Sequence, residues 1–263
     1  AGKMRRGKNW WLKSSVWEDF VMGVELNPHV LGLDVKFFSY RPAMIGWMIV
    51  NLSFAVKQFQ DLGAVTDRMM LYQALTGLYI FDYFFNEIKM ISTWDIIAEK
   101  FGLMLVWGDY VFITFGFSIQ PFFLLDNTTP LAKWELGLTL AIAIIGVILF
   151  RGANSQKHRF KTDPLKTTIW GKCPPEAIGG KLLVSGFWGI ARHVNYLGDL
   201  MIAMSFCLPC GPAAVRPYFY FIYLLLLLLH RNKRDEERMA MKYKETWREY
   251  CKRVPYAIFP FIY

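Results

Sequence analysis

The sequence predicts an all-α, polytopic helical membrane protein with about six spans in this chain. Three observations carry the prediction. Apolar residues make up 54 % of the 263 and aromatics 17 %, and the mean hydropathy of +0.26 is positive, above the usage of soluble domains of this size. Apolar runs recur that approach the roughly 20 residues a helix needs to cross a bilayer core of about 30 Å. The net charge of +9 gathers in a few segments beside those runs, as the positive-inside rule expects. Nucleic-acid binding, the other common reading of a basic chain, is set aside because the basic residues flank apolar spans.

The elements follow in order. The chain opens AGKMRRGKNW, with no apolar h-region and hence no signal peptide. Residues 16–30 are amphipathic and reach an Asn-Pro turn. Spans are expected at 42–59, 69–86, 102–125, 134–151, 194–210 and 217–230. Several are imperfect. The second carries Asp82 with Glu87 beside it, the third Asp109, and the fifth Asn195 and Asp199. Ionisable groups inside spans are costly and tend to be functional.

Between the fourth and fifth spans, residues 151–172 form a basic loop of Arg151, Lys157, Arg159, Lys161, Lys166 and Lys172 against Asp163. The segment from Arg231 onward is likewise basic, whereas the turn 208–215 carries no charge. Both basic regions therefore face the cytosol, joined by a hairpin that touches the other side, and a cytosolic nucleotide can reach both. After Arg231, Met239, Tyr243, Trp247 and Cys251 recur every four residues and make one stripe on a packing or interfacial helix. Arg231, Arg234 and Asp235 cluster where the sixth span leaves the bilayer. Cys207 and Cys210 form a C-x-x-C, but at a Pro/Gly turn ending an apolar run, which reads as buried thiols rather than a redox pair. No zinc-ligand spacing occurs.

Five blocks resemble the sterol reductase family, which includes 7-dehydrocholesterol reductase, sterol delta-14 reductase and the carboxy-terminal half of the lamin B receptor. They are GVELNP at 23–28, RPAMIGWMIVNLSFAVKQ at 41–58, FDYFFNE at 81–87, GANSQKHRF at 152–160, and LLVSGFWGIARHVNYLGDL at 182–200 with the run to VPYAIFPFIY. The resemblance implies a fold of about ten spans of which this chain holds part. It also implies residues 1–151 as membrane helices contributing to a sterol pocket and 152–263 as NADPH-binding helices and loops, in the endoplasmic reticulum of a eukaryote or the inner membrane of a bacterium.

The same resemblance implies NADPH held without a Rossmann fold, and the chain has no G-x-G-x-x-G after a strand. Side chains must then grip the phosphates. Lys157, Arg159, Lys161 and Arg231 are the candidates, arginine for its planar fork. Trp188 is a candidate stacking ring, and His193, Asn195, Asp199, Asp235 and Tyr243 are candidates to orient amide and hydroxyl groups.

An isolated ring alkene accepts hydride poorly, so its reduction needs protonation to a carbocation before hydride arrives from the nicotinamide. Glu87, Asp82 and Asp109 are the candidate acids, with Tyr79, Tyr83 and Tyr110 as further donors. On one continuous helix Asp82 and Glu87 would stand about 140° apart. The sequence phrases divide between delta-7 and delta-14 reductases and lean to delta-7. Two other functions share features of the chain. Isoprenylcysteine carboxyl methyltransferases are similar at the carboxy end and bind S-adenosylmethionine there, and a lamin B receptor-like protein would be non-catalytic.

Overall fold

The computed structural model describes residues 15–263; the basic opening segment, read above as lacking an h-region, lies outside them. The described residues form two compact units, divided between 126 and 127. The division falls before the fourth predicted span.

In the first unit, α1 (Val16–Met22) starts on Ser15, whose hydroxyl accepts from the Trp17 amide. A two-stranded hairpin, β1 (His29–Val30) and β2 (Leu33–Asp34), follows. Its last residue caps α2 (Val35–Leu62), Asp34 Oδ1 accepting from the Phe37 amide at 2.9 Å. α2 stops at Gly63, whose φ of 74° is the left-handed turn that glycine adopts without a side-chain clash. Thr66 then caps α3 (Asp67–Phe85). Short helices α4 (Trp94–Ile97) and α5 (Leu103–Trp107), a π-helical stretch Gly108–Gly116 and α6 (Ile119–Leu124) complete the unit.

Lys36 ties this unit together. It is fully buried, and its Nζ donates to the carbonyls of Leu26 at 2.8 Å, Asp95 at 2.5 Å and Glu99 at 2.7 Å. Burial lowers its pKa, and nearby carboxylates oppose that shift.

The second unit begins with α7 (Lys133–Thr162), 30 residues long. A second hairpin, β3 (Ala177–Ile178) with β4 (Leu182–Leu183), leads to α8 (Val194–Cys207). Next come α9 (Phe219–Tyr243) and α10 (Glu245–Arg253), divided at Lys244 with its positive φ of 49°. α7 and α8 cross with backbones nearly touching: a Cβ on Gly146 would meet the Gly198 carbonyl oxygen at 2.9 Å. Small residues at a helix crossing allow this close approach.

Helix covers most of each of the six predicted span ranges. Among the described residues, two segments are long and apolar enough by themselves to cross a membrane, Leu103–Leu124 and Lys133–Thr162. Large apolar side chains also stand exposed along α2, at Ile45, Ile49, Leu52, Val56 and Phe59. Their spacing of three to four residues makes one apolar face.

The structure changes two local readings. Lys157, Arg159 and Lys161 belong to the last turns of α7, not to a loop, because the run through Ala153 and Phe160 buries one face. The stripe Met239, Tyr243, Trp247 and Cys251 does pack, against Tyr250, Val254, Ile178 and Leu182, but across the break at Lys244.

Candidate functional site

The best-formed polar cluster is in the second unit. Phe160, Leu183, Phe187, Trp188, Ala191 and Val194 form a small core, and two hydrogen bonds pin the 186–189 turn to α7. Gln156 Oε1 accepts from the Phe187 amide at 3.0 Å, and Trp188 Nε1 donates to the Ala153 carbonyl at 2.9 Å. Trp188 is thereby buried and fixed, and Lys157 Nζ lies 4.2 Å from its ring centroid. That is a cation–π contact.

His193 follows immediately. Its backbone amide donates to the Ala257 carbonyl at 2.7 Å, and its ring stacks on Tyr196 with centroids 4.7 Å apart. Nε2 is buried without a hydrogen-bond partner, 3.8 Å from Asp235 Oδ2. Burial, with Lys157 and Arg192 nearby, lowers the imidazole pKa to about 3, so the ring is neutral. Burial raises the pKa of Asp235, against the pull of Lys157 and Arg238.

Two more buried oxygens in this unit are unpartnered, Asn195 Oδ1 and Asn232 Oδ1. Buried polar groups are ordinarily satisfied, so three such atoms in a unit that also gathers Lys157 and Asp235 fit a ligand carrying both donors and anionic groups. Arg231 precedes Asp235 by four residues on α9 and shares its face.

The remaining predicted residues are placed differently. Lys161 is one turn beyond Lys157 on the same face of α7, while Arg159 points about 160° away from Lys157 around the helix. Asp199 is six residues past His193, well round α8. Tyr243 packs in the Trp247 and Tyr250 cluster, with Lys242 Nζ 4.9 Å from its ring centroid.

Sequence reasoning missed Arg192. Its Nε and NH2 donate to Glu236 Oε1 at 3.0 and 2.5 Å, and its NH1 donates to the carbonyls of Val254 and Pro255 at 3.0 and 2.6 Å. One guanidinium joins the 186–193 turn, α9 and the 254–257 segment. No local pattern announces a contact across 62 residues. Asn232 was also missed, although its place in the series Leu224, Leu228, Asn232, every four residues, marks it as buried.

In the first unit, Asp109 is buried in the π-helical stretch, a backbone form that concentrates at functional sites. The Ser39 hydroxyl lies within donating distance of two acceptors, Asp109 Oδ2 at 2.5 Å and the Lys36 carbonyl at 2.8 Å. Glu87 is forked by Arg41, whose Nε and NH2 donate to Oε1 and Oε2 at 2.6 and 2.9 Å. Asp82 accepts from Asn86 Nδ2 at 2.9 Å. Asn86 ends α3, so Glu87 starts a separate 3-10 turn and the helical angle expected between Asp82 and Glu87 does not apply. An apolar groove of about 410 Å³ runs between α2 and α3, lined by Met48, Leu52, Gly77 and Phe81 among others. Among the described residues no group of three or more His, Cys, Asp and Glu side chains is arranged to hold a metal ion.

The family model described as "Ergosterol biosynthesis ERG4/ERG24 family" matches residues 12–263. The chain is 54 % identical to a Delta(14)-sterol reductase of Arabidopsis thaliana, covering 93 % of this chain and 66 % of that protein. It is 45 % identical to a Delta(14)-sterol reductase of Methylotuvimicrobium alcaliphilum, over 97 % and 62 %. It is 40 % identical to a 7-dehydrocholesterol reductase of Xenopus laevis, over 92 % and 54 %. The chain thus spans between about half and two thirds of the length of these relatives.

Proposed function

Because the chain belongs to the ergosterol biosynthesis ERG4/ERG24 family, we propose that it is the nucleotide-holding portion of a membrane sterol reductase that reduces a ring double bond with NADPH. The observation that carries this reading is the Lys157, Trp188, His193 and Asp235 cluster, with the unpartnered buried Nε2 of His193 at its centre. Lys157, Lys161 and Arg231 bind the phosphates. Neutral His193, Asn195 and Asp235 hold the amide and hydroxyl groups, where a neutral imidazole can donate or accept without adding charge. NADPH, when bound, supplies the hydride.

Asp109 is the proton donor in this reading. Ser39 has one hydroxyl hydrogen for two acceptors. A protonated Asp109 donating to Ser39, which in turn donates to the Lys36 carbonyl, satisfies all three oxygens. Glu87 is a poorer candidate, since Arg41 occupies both of its carboxylate oxygens.

For the bond reduced, the delta-7 leaning of the sequence phrases gives way to delta-14, the name carried by relatives at 54 % and 45 % identity against 40 % for the 7-dehydrocholesterol reductase. The methyltransferase alternative loses support because the family match extends through the first 160 residues as well. A setting in the endoplasmic reticulum of a eukaryote, or the inner membrane of a bacterium, accompanies this reading. The test is to incubate the protein with NADPH and two sterols, one unsaturated at each position, and to follow the products by mass. Reduction of the delta-14 sterol alone supports the reading, and reduction of the delta-7 sterol alone overturns it.

A further inference from the structure

Resting on the cofactor reading above, we infer that Asn232 is a cofactor-contacting residue and that Tyr263 is the residue that positions it. On α9, Leu224, Leu228 and Asn232 recur every four residues and are all buried. An asparagine that continues a leucine stripe gives up its hydration without apolar gain, so its two polar ends need partners. One has a partner: Nδ2 donates to the Tyr263 hydroxyl at 3.2 Å. The other has none. Oδ1 is buried and unpartnered, on a residue with no exposed surface.

Asn232 stands one helical turn before Asp235 and Glu236, and so shares the face that approaches His193 and Arg192. The unpartnered acceptor therefore belongs to the surroundings of the cluster that needs donors. A nicotinamide carboxamide N–H or a ribose O–H is the chemistry it takes.

Tyr263 is itself held. Its main-chain oxygen accepts from the amides of Ala257, Ile258 and Phe259 at 2.9, 3.0 and 3.0 Å, and its amide donates to the Phe259 carbonyl at 2.9 Å. The same segment accepts from the Arg192 and His193 amides through the carbonyls of Tyr256 and Ala257, at 2.9 and 2.7 Å. A tyrosine fixed by that loop fixes the asparagine amide, and with it the direction in which Oδ1 points.

The experiment is an equilibrium titration of the purified protein in nanodiscs with NADPH, for the parent, Asn232→Leu, Asn232→Ser and Tyr263→Phe, together with their melting temperatures. Asn232→Leu completes the leucine stripe, so its melting temperature is expected to hold or rise while the NADPH dissociation constant rises about tenfold. Tyr263→Phe keeps the ring and is expected to weaken NADPH about threefold. A structural asparagine would show the reverse, with melting temperature lowered and affinity kept. Should Asn232→Leu fail to fold, Asn232→Ser and Tyr263→Phe carry the test. If the parent binds NADPH and the folded variants bind it within twofold of the parent, the Asn232 assignment falls alone. If the parent does not bind, the cofactor reading falls with it.

Discussion

Nε2 of His193 and Oδ2 of Asp235 lie 3.8 Å apart, beyond a hydrogen bond and within reach of one ligand group seated beside both. In the proposed function this pair receives the cofactor, because its two members do not satisfy each other by a direct hydrogen bond.

The first prediction concerns the cation near that pair. Lys157→Gln removes the charge held over Trp188. A charge-assisted contact is worth about 1.5–3 kcal/mol, so the NADPH dissociation constant should rise about 10- to 100-fold. Trp188→Leu should give a similar loss through the unplaced lysine, and fluorescence titration checks both.

Acid and ion pair separate in the second prediction. Asp109→Asn should lower kcat by about 10² to 10⁴, the usual scale of general acid catalysis, with NADPH affinity unchanged. Glu87→Gln should leave turnover within a few-fold. Single-turnover kinetics with saturating NADPH distinguishes the two, and the reverse order would move the acid role to Glu87.

A third prediction follows from the helix crossing. Gly146→Val places a branched side chain against the Gly198 carbonyl, where even a Cβ would approach to 2.9 Å. Overpacking of this kind costs about 1–3 kcal/mol, to be read as a lowered melting temperature. Gly137→Val, where nothing lies within 4 Å of the added Cβ, is the control.

Acid stability supplies the fourth. The pKa of His193 is lowered to about 3, against about 6.5 when unfolded. Between those values the unfolded chain binds a proton that the native chain refuses, so stability should fall as pH drops from about 6.5 toward 3, by up to about 1.4 kcal/mol per pH unit. Above that window the term is fully present. His193→Asn should flatten this acid limb in urea melts taken across the range.

Much of this was legible in the chain. The six helical ranges followed from apolar runs, and Lys157, Trp188, His193 and Asp235 were all named from the sequence. Their mutual placement was not. The partner of Glu87 is Arg41, 46 residues away, and Arg192 reaches Pro255 across 63; such pairs depend on tertiary packing that no local period encodes. The basic loop was misread because lysine and arginine are good helix formers, so charge alone cannot mark where α7 ends. Tyr243 packs with Met239 beside the small Trp247 and Tyr250 core against β3 and β4, a contact that its four-residue stripe does announce.

The most direct test is saturable NADPH binding by the purified chain and by a Lys157→Gln, Arg231→Gln double variant of unchanged melting temperature. The account predicts binding by the parent and at least a hundredfold loss in the variant. Equal affinity in the two, or none in the parent, would contradict it.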